Sequence, residues 1–333
     1  MTATNRVAKL AERPVGMVTR ENFSFEDEPL AEPGDGEFRV KVDCISIDPA
    51  MRPWMNDAPS YIPPVGVGEV MRALAAGTVE VSNHPDFKPG DAVGGLFGVQ
   101  THAISNGRGV TRLDLSKAPI ERWIAGLGMP GMTAYFGLLE IGRPQQGETV
   151  VISAASGAVG SLVGQIAKIE GARAVGIAGG PEKCKAVMDM GFDACVDYKA
   201  GNLRDDLRAA CPKGADVYWE NVGGEIGDAM YPLMNPFGRI VVCGLISMYN
   251  ATKPPVGPVN TRFILAKRLR VQGFIVFDFQ DRYQEAIDAM GKWAADGKLV
   301  MREDVREGGV DAFPDVLNLL YTGGNNGKLV LKT

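Results

Sequence analysis

One segment near the middle of the chain constrains its fold more than any other. An apolar run at residues 150–154 leads into a turn with the pattern A-x-G-x-x-G, whose fixed positions are Ala155, Gly157 and Gly160. Residues 157–170 then place their apolar side chains on a single helical stripe. A strand, a glycine turn and a helix in this order are typical of a parallel α/β sheet.

The glycines of this turn also indicate a ligand. Gly157 allows the backbone to approach a pyrophosphate, and Gly160 allows the helix to pack closely on the strand. The start of the helix offers unpaired N–H groups and a positive dipole end to phosphate oxygens. We therefore predict a dinucleotide site here; the alternative is a tight turn between a strand and a helix that binds nothing.

Further strands and helices alternate after Pro130, as in a parallel sheet with crossover helices. Strands are predicted at residues 174–177, 194–198, 216–221, 240–246 and 271–277, and helices at residues 181–190 and 283–294. The first third of the chain instead alternates apolar and charged residues with period two, most clearly at residues 37–44. The fold class is therefore predicted as α/β, with a mostly β domain at residues 1–124 and a parallel sheet domain after it.

The composition is that of a globular protein long enough for two domains, with 333 residues, 45% of them apolar and 23% charged. A formal net charge of −5 and the lack of any block of Lys and Arg argue against a nucleic-acid partner. No apolar leader or membrane span is evident, and the two histidines and five dispersed cysteines show no metal-ligand spacing. We expect a reduced, cytoplasmic protein that binds no metal.

The end of the second strand of the parallel sheet bears on the choice of dinucleotide. An NAD-binding domain commonly has an acidic residue there for the ribose 2′-OH, whereas this chain has Gly179 and Gly180. With no carboxylate at that position and Lys183 close behind, we predict NADP, whose 2′-phosphate the lysine would pair with. Lys183 could equally be a solvated lysine in the first turn of a helix.

Six segments spread over nearly the whole chain together resemble one family. They are SIDPAMR (46–52), GMPGMTAYFG (128–137), AASGAVG (154–160), NVGGE (221–225), FGRIVVCGLISMYN (237–250) and GK (327–328). The set is similar to the zinc-independent medium-chain dehydrogenase/reductases, specifically the group of prostaglandin reductases (leukotriene B4 dehydrogenases) and plant and curcumin-type double-bond reductases. The resemblance implies a GroES-like domain at residues 1–124, rejoined by residues 300–333, a doubly wound Rossmann domain at residues 125–299, and an active cleft between them.

The resemblance also implies a set of cofactor-binding residues. They are Thr133; Ser156, Gly157, Ala158 and Val159 at the pyrophosphate, with Gly160 of the same turn; Gly179, Lys183 and Tyr198 at the adenosine 2′-phosphate; Asn221 and Asn325; and Cys243, Gly244, Ile246, Ser247, Phe274, Ile275 and Val276 near the nicotinamide and its ribose. Each has a structural alternative. Cys243, Ile275 and Val276 could simply be buried strand residues, and an asparagine is common in turns for backbone reasons.

Relatives that are alcohol dehydrogenases hold a catalytic zinc, which this chain is not expected to bind. Cys44 lies near a first ligand position, but residues 66–69 have glycine where a histidine ligand would be needed. Without a Lewis acid to stabilise an alkoxide, alcohol oxidation is disfavoured. We predict instead that NADPH delivers hydride to the β carbon of an α,β-unsaturated ketone or aldehyde, and that the enolate is protonated at its α carbon.

Two tyrosines are the candidate catalytic donors to the carbonyl oxygen, Tyr249 first and Tyr61 second. A phenol, with a pKa of about 10, stays protonated at neutral pH and can donate a hydrogen bond. The alternatives are that the cofactor ribose hydroxyl donates instead, or that the rings only pack. Ala50 stands where this group often has a tyrosine, so an aromatic wall of the substrate pocket could be absent. The pocket could then be wider, or it could be closed by Trp54, Met55 or Tyr61 instead.

Two rival functions remain open. The first is a quinone oxidoreductase of the same superfamily, and the second is a non-catalytic NADPH-binding protein. Comparing NADPH consumption with enones and with quinones distinguishes the first rival from an enone reductase. Tight NADPH binding without turnover of any of these compounds identifies the second rival. We also expect a homodimer that pairs through the apolar strand at residues 271–277. The expected substrate is a small molecule, and no membrane partner is expected.

Overall fold

The structure is a computed structural model that describes residues 4–253 and 257–333. The chain divides into two compact units. The first consists of Met1–Ala125 and Glu303–Thr333, and the second of Gly126–Arg302. None of the helices in the described ranges is both long enough and apolar enough to cross a bilayer.

The strands and helices of the described residues are as follows. The strands are β1 (Thr4–Leu10), β2 (Phe23–Pro29), β3 (Phe38–Ser46), β4 (Ala75–Ser82), β5 (Ala92–Gly95), β6 (His102–Ser105), β7 (Thr111–Arg112), β8 (Thr149–Ser153), β9 (Arg173–Ala178), β10 (Ala194–Asp197), β11 (Ala215–Glu220), β12 (Met234–Val242), β13 (Arg270–Gly273), β14 (Glu303–Arg306) and β15 (Lys328–Lys332). The helices are α1 (Met51–Trp54), α2 (Ile120–Trp123), α3 (Met129–Phe136), α4 (Ala158–Ile169), α5 (Pro181–Asp189), α6 (Leu203–Ala210), α7 (Gly224–Met230), α8 (Arg262–Lys267), α9 (Tyr283–Ala295) and α10 (Phe313–Thr322).

The first unit is built on a mostly antiparallel sheet. Its strand order is β14-β15-β3-β4-β5-β7, and β6 also pairs with β3. The alternation predicted near residue 40 is present, since Phe38, Val40 and Val42 are buried on one face of β3. From the carboxyl-terminal part of the chain, β15 pairs antiparallel with β3, and Phe313 of α10 joins the same core.

The second unit contains a parallel sheet with the strand order β10-β9-β8-β11-β12-β13. The chain runs outward from β8 through β9 to β10, then returns to the other side of β8 for the remaining strands. This reversal of strand order creates a switch point between β8 and β11, where open α/β sheets bind their ligands. Every residue of β8 is buried, as expected for a central parallel strand covered on both faces. The predicted α/β fold, with a parallel sheet unit and a mostly β unit, is confirmed.

Two predicted strands have different bounds in the structure. The strand predicted at residues 240–246 is β12, which begins six residues earlier, at Met234, and ends at Val242. The register of β12 against β11 shifts between Met234 and Arg239, a stretch that contains Pro236, and proline cannot donate to a sheet ladder. Cys243 therefore follows the strand and does not lie in it.

The strand predicted at residues 271–277 was also too long. It is β13, which ends at Gly273, and Val276–Arg282 form a 3₁₀ helix. Ile275 and Val276 are thus outside the strand, contrary to the prediction. A short apolar run does not distinguish a strand from a buried turn, which explains the error.

Candidate functional site

The glycine turn that the sequence predicts is present at the end of β8. Ala154 adopts a left-handed conformation, with φ of 50°. The N–H of Gly157 donates to the carbonyl oxygen of Ala154 at 2.9 Å, which closes the turn. A Cβ atom at Gly160 would lie only 2.4 Å from that same oxygen, so only glycine fits where α4 packs on the turn.

The start of α4 presents backbone donors. Its first intrahelical bond runs from the N–H of Ser161 to the carbonyl of Gly157, at 3.1 Å. The amides of Ala158, Val159 and Gly160 precede that bond and have no helical carbonyl before them. In the described chain no side chain caps this terminus. These backbone amides, together with the absence of a side chain at Gly157, fit the pyrophosphate of a dinucleotide.

The end of β9 lies against the residues that follow β10. A Cβ atom at Gly179 would lie 2.8 Å from the ring of Tyr198, so the glycine makes room for that ring. Tyr198 is 42% exposed. Lys183 lies half-buried in the first turn of α5, which begins at Pro181.

The end of β9 itself has no carboxylate, as the sequence shows, but one from the neighbouring strand lies at this edge. The Oδ1 atom of Asp197 accepts the N–H of Gly180 at 2.8 Å and the N–H of Lys199 at 2.9 Å. Asp197 ends β10 and not β9, so its position relative to Gly180 depends on strand order. Because the two amides bind its oxygen, this carboxylate fixes the turn after β9.

Hydrogen bonds tie β8 to β11 at the switch point. The backbone N–H of Asn221 donates to Oγ of Ser153, and Nδ2 of Asn221 donates to the backbone oxygen of Ser153, both at 2.8 Å. The indole N–H of Trp219 donates to Oδ1 of Asn221 at 3.0 Å. The Asn221 side chain is therefore held in a single orientation beside the glycine turn.

Glu220 is the buried carboxyl group beneath this network. It accepts the N–H groups of Val222 and Gly223 at 2.8 and 2.9 Å and the hydroxyl of Tyr218 at 2.8 Å. Burial raises the pKa of Glu220 above its usual value. A Cβ atom at Gly227 would lie 2.2 Å from Oε2 of Glu220, so the middle of α7 packs directly on this carboxyl group.

The segment at residues 243–249 is bonded to the end of β11. The N–H of Cys243 donates to the carbonyl of Glu220 at 2.9 Å, that of Ile246 to Asn221 at 3.0 Å, and that of Ser247 to Val222 at 3.1 Å. The hydroxyl oxygen of Tyr249 accepts the N–H of Leu245 at 3.2 Å. This bond uses an oxygen lone pair of the phenol and not its proton.

Gly244 also meets the tyrosine, since a Cβ atom there would lie 3.1 Å from the Tyr249 hydroxyl. Burial and the neighbouring Glu220 raise the pKa of the Cys243 thiol to about 12, so the thiol stays protonated at neutral pH. The segment therefore contributes amides and neutral side chains to the site.

Aromatic rings continue the site toward β13. Phe274 and Trp219 meet edge to face, with ring centroids 5.8 Å apart. Gly137 admits both rings, because a Cβ atom there would lie 2.3 Å from Phe274 and 2.4 Å from Trp219. Ile275 is half-buried and Val276 is buried. Thr133 donates its hydroxyl to the carbonyl of Met129 within α3 at 2.8 Å.

The remaining predicted residues belong to the first unit. The hydroxyl oxygen of Tyr61 accepts the indole N–H of Trp54 at 3.1 Å, and its side chain is half exposed. Met55 is fully buried in the core, so it is not available to close a substrate pocket as the sequence had suggested. Ala50 is half-buried against that core. Nδ2 of Asn325 donates to the carbonyl of Gly327 at 3.0 Å.

Sequence reasoning missed Ser153, Asp197, Trp219 and Glu220. All four are the last residue of a parallel strand or the one before it. That position was a usable signal, because the carboxyl ends of parallel strands meet at one edge of the sheet. Within the residues that the structure describes, no group of three or more His, Cys, Asp and Glu side chains is placed to hold a metal ion.

Known proteins resemble this chain over almost its entire length. Two family models match it, described as the N-terminal domain of oxidoreductase at residues 6–113 and zinc-binding dehydrogenase at residues 158–292. The NADPH-dependent curcumin reductase of Escherichia coli (strain K12) is 46% identical, over 98% of this chain and 96% of that protein. Prostaglandin reductase 1 of Mus musculus is 38% identical, over 95% of each chain.

The solved structure of CurA from Vibrio vulnificus in complex with NADPH has the same fold. It aligns with a TM-score of 0.94 at 44% identity, over 98% of this chain and 99% of that one.

Proposed function

This chain belongs to the double-bond reductase group of the medium-chain dehydrogenase/reductase family. We therefore propose that it uses NADPH to reduce the carbon–carbon double bond of α,β-unsaturated ketones and aldehydes. The chain is an NADP-dependent oxidoreductase. Relatives named as curcumin and prostaglandin reductases support this substrate class. One structural observation carries the proposal. At one edge of the sheet, hydrogen bonds of Ser153 and Asn221 connect the glycine turn to the segment at residues 243–249.

The residues at this edge suit the parts of NADPH. The amides of residues 157–160 would bind the pyrophosphate, with Ser156 beside them. Lys183 and Tyr198 would bind the adenosine 2′-phosphate, next to Gly179. Asn221, the 243–247 backbone and residues 274–276 would border the nicotinamide and its ribose. Thr133 and Asn325 complete the proposed set, and their side chains donate hydrogen bonds to the nearby backbone carbonyls of Met129 and Gly327, respectively.

When bound, NADPH supplies the hydride that is added to the β carbon of the substrate. Tyr249 is the proposed donor to the carbonyl oxygen, where negative charge develops as the enolate forms. Its oxygen accepts the Leu245 amide, which fixes the phenol on the 243–249 segment. Tyr61, held by the Trp54 indole, is the second donor. Hydrogen bonds of this kind stabilise an enolate without a metal, so the proposed reaction is independent of zinc.

The proposal is tested by a substrate panel with NADPH and NADH in parallel. We expect turnover of enones and enals to saturated carbonyl products, with a clear preference for NADPH over NADH. Quinones are included as the matched comparison for the rival quinone oxidoreductase. Turnover of quinones alone, or tight NADPH binding without turnover of any compound, would overturn the proposal.

Two phenylalanine variants test the donors separately. Tyr249→Phe keeps the ring and removes the hydroxyl, and loss of one donor to a developing oxyanion costs on the order of 10²-fold in kcat. Tyr61→Phe is expected to cost less. If both variants turn over an enone at the wild-type rate, neither tyrosine is a catalytic donor.

We also propose a homodimer located in the cytoplasm. The strand β13 is the last of its sheet, and Val271 on it is 39% exposed, so its edge is open to a second copy. All five cysteines are free, as is usual in a reducing compartment. Light scattering tests the assembly, and a monomeric mass would refute the dimer without affecting the proposed chemistry.

A further inference from the structure

Two cysteines of the second unit lie in direct contact. Sγ of Cys184, in α5, is 3.0 Å from Sγ of Cys195, in β10. That separation is about 1 Å longer than a disulfide bond. Both residues are half-buried, whereas Cys44 and Cys211 are buried. The two sulfur atoms are therefore close enough to be linked, and neither residue is fully buried.

The pair is adjacent in sequence to the residues proposed for the adenosine 2′-phosphate. Lys183 directly precedes Cys184, and Tyr198 follows Cys195 by three residues. The backbone connects the same two elements, because Asp197 at the end of β10 accepts the N–H of Gly180 just before α5. A covalent link between the two sulfur atoms would therefore act on both sides of that pocket.

We propose that Cys184 and Cys195 form a reversible disulfide when the protein meets a hydroperoxide, and that this bond lowers the affinity for NADPH. The first part stands on the sulfur contact alone. The second part rests on the proposed function, since it takes Lys183 and Tyr198 to bind the 2′-phosphate. No assigned role of the site uses either thiol.

The oxidation balances with hydrogen peroxide as the co-reactant. The Cys184 thiolate attacks one peroxide oxygen, the O–O bond breaks, and a sulfenic acid and hydroxide form. The hydroxide takes up the proton that the Cys184 thiol released on ionising, which gives the first water. The sulfur of Cys195 then attacks the Cys184 sulfur, the S–O bond breaks, and the departing hydroxide takes the Cys195 proton as a second water. In total, two thiols and one peroxide give one disulfide and two waters, and a dithiol reverses the change.

The order of attack follows from the environment of each thiol. Burial and the neighbouring Cys184 raise the pKa of Cys195 far above its usual value, so this thiol is rarely ionised. The thiolate is the form that attacks peroxide, which assigns the first step to Cys184. The effect on NADPH follows from the change in length, since closing the contact by about 1 Å draws α5 toward β10 and changes the position of Lys183 relative to Tyr198.

The experiment treats the reduced full-length protein with hydrogen peroxide and measures the bond and the affinity independently. Intact mass and peptide mapping should show the loss of two hydrogens and a cross-link between the peptides of Cys184 and Cys195, reversed by dithiothreitol. Nicotinamide fluorescence should show that the Kd for NADPH rises on the order of fivefold. The Kd for NADH, which lacks the 2′-phosphate, should change little.

Variants identify the source of the effect. Cys184→Ser and Cys195→Ser should lose both the cross-link and the change in Kd, whereas Cys211→Ala, a thiol elsewhere in the same unit, should keep both. Absence of the cross-link in oxidised wild-type protein would overturn the proposal. This measurement does not use the variants, so it remains decisive if they fold poorly. A cross-link with an unchanged Kd for NADPH would refute the coupling. If reduced protein does not bind NADPH at all, the proposed function fails, while the mass measurement still decides whether the disulfide forms.

Discussion

Replacing Gly160 by alanine separates the packing role of the glycine turn from its role in ligand binding. The added Cβ would lie 2.4 Å from the carbonyl oxygen of Ala154 and 3.1 Å from the Cα of Ala155. Both neighbours are backbone atoms and cannot rotate away as a side chain would. The start of α4 must therefore move by roughly 1 Å to restore an ordinary contact of about 3.5 Å.

The magnitude follows from this displacement. Overpacking in a close-packed region costs about 1–3 kcal/mol of unfolding free energy. For a unit of this size, each kcal/mol lowers the melting temperature by about 2–4 °C. We therefore expect Gly160→Ala to melt about 2–12 °C below the wild type, as measured by circular dichroism without cofactor.

Two matched glycine variants complete the test. At Gly157 an added Cβ has one near neighbour, the Ala154 oxygen at 3.2 Å, so stability should stay close to that of the wild type. NADPH affinity, measured by nicotinamide fluorescence, should nevertheless fall, because the methyl group occupies the proposed approach of the pyrophosphate. Gly291, within α9, has nothing within 4 Å and serves as the alanine control without a clash, and its stability should match or slightly exceed that of the wild type because alanine favours a helix interior over glycine. A Gly160→Ala protein that melts like the wild type would refute the packing argument.

Two further predictions concern buried and exposed charges of the first unit. Lys328 is buried and donates to Oδ1 of Asp48 at 2.9 Å. Lys328→Met would leave that carboxylate without its charge partner, so we expect the free energy of unfolding in urea to fall by about 3 kcal/mol. An unchanged unfolding midpoint would contradict this prediction. Arg6 and Arg20 lower the pKa of Asp311 to about 2, so its ion pairs stabilise the fold above about pH 4, and this contribution is lost as the pH falls toward 2. Because Asp311 is partly exposed, Asp311→Asn should cost only about 0.5–1 kcal/mol at neutral pH. The difference between variant and wild type should vanish near pH 2, and a difference that persists there would contradict the assignment.

The elements with regular burial were predictable from the sequence. β8 is buried on both faces and therefore has a continuous apolar run, and β3 is buried on one face and therefore alternates. The glycine turn was predictable because its geometry needs particular residues at fixed spacing. The bounds of β12 and β13 were not, because an irregular register around Pro236 and a buried turn after Gly273 leave no periodic signal.

The site was predictable where one segment forms it and unpredictable where strand order forms it. Residues 156–160 are contiguous, so the tight turn and the start of α4 could be inferred directly from the sequence. Asp197 contacts Gly180 only because β10 is the neighbour of β9, and the contact of Cys184 with Cys195 depends on how α5 packs. Neither arrangement follows from spacing along the chain.

The most direct measurement of the proposed reaction follows the hydride itself. NADPH carrying deuterium at C4 of the nicotinamide, prepared separately in each of the two configurations, is incubated with the enzyme and a simple enone. The product is then analysed by NMR and mass spectrometry. We predict that one of the two labelled cofactors places its deuterium on the β carbon of a saturated ketone. Deuterium on the carbonyl carbon of an alcohol, or no transfer from either cofactor, would contradict double-bond reduction by this protein.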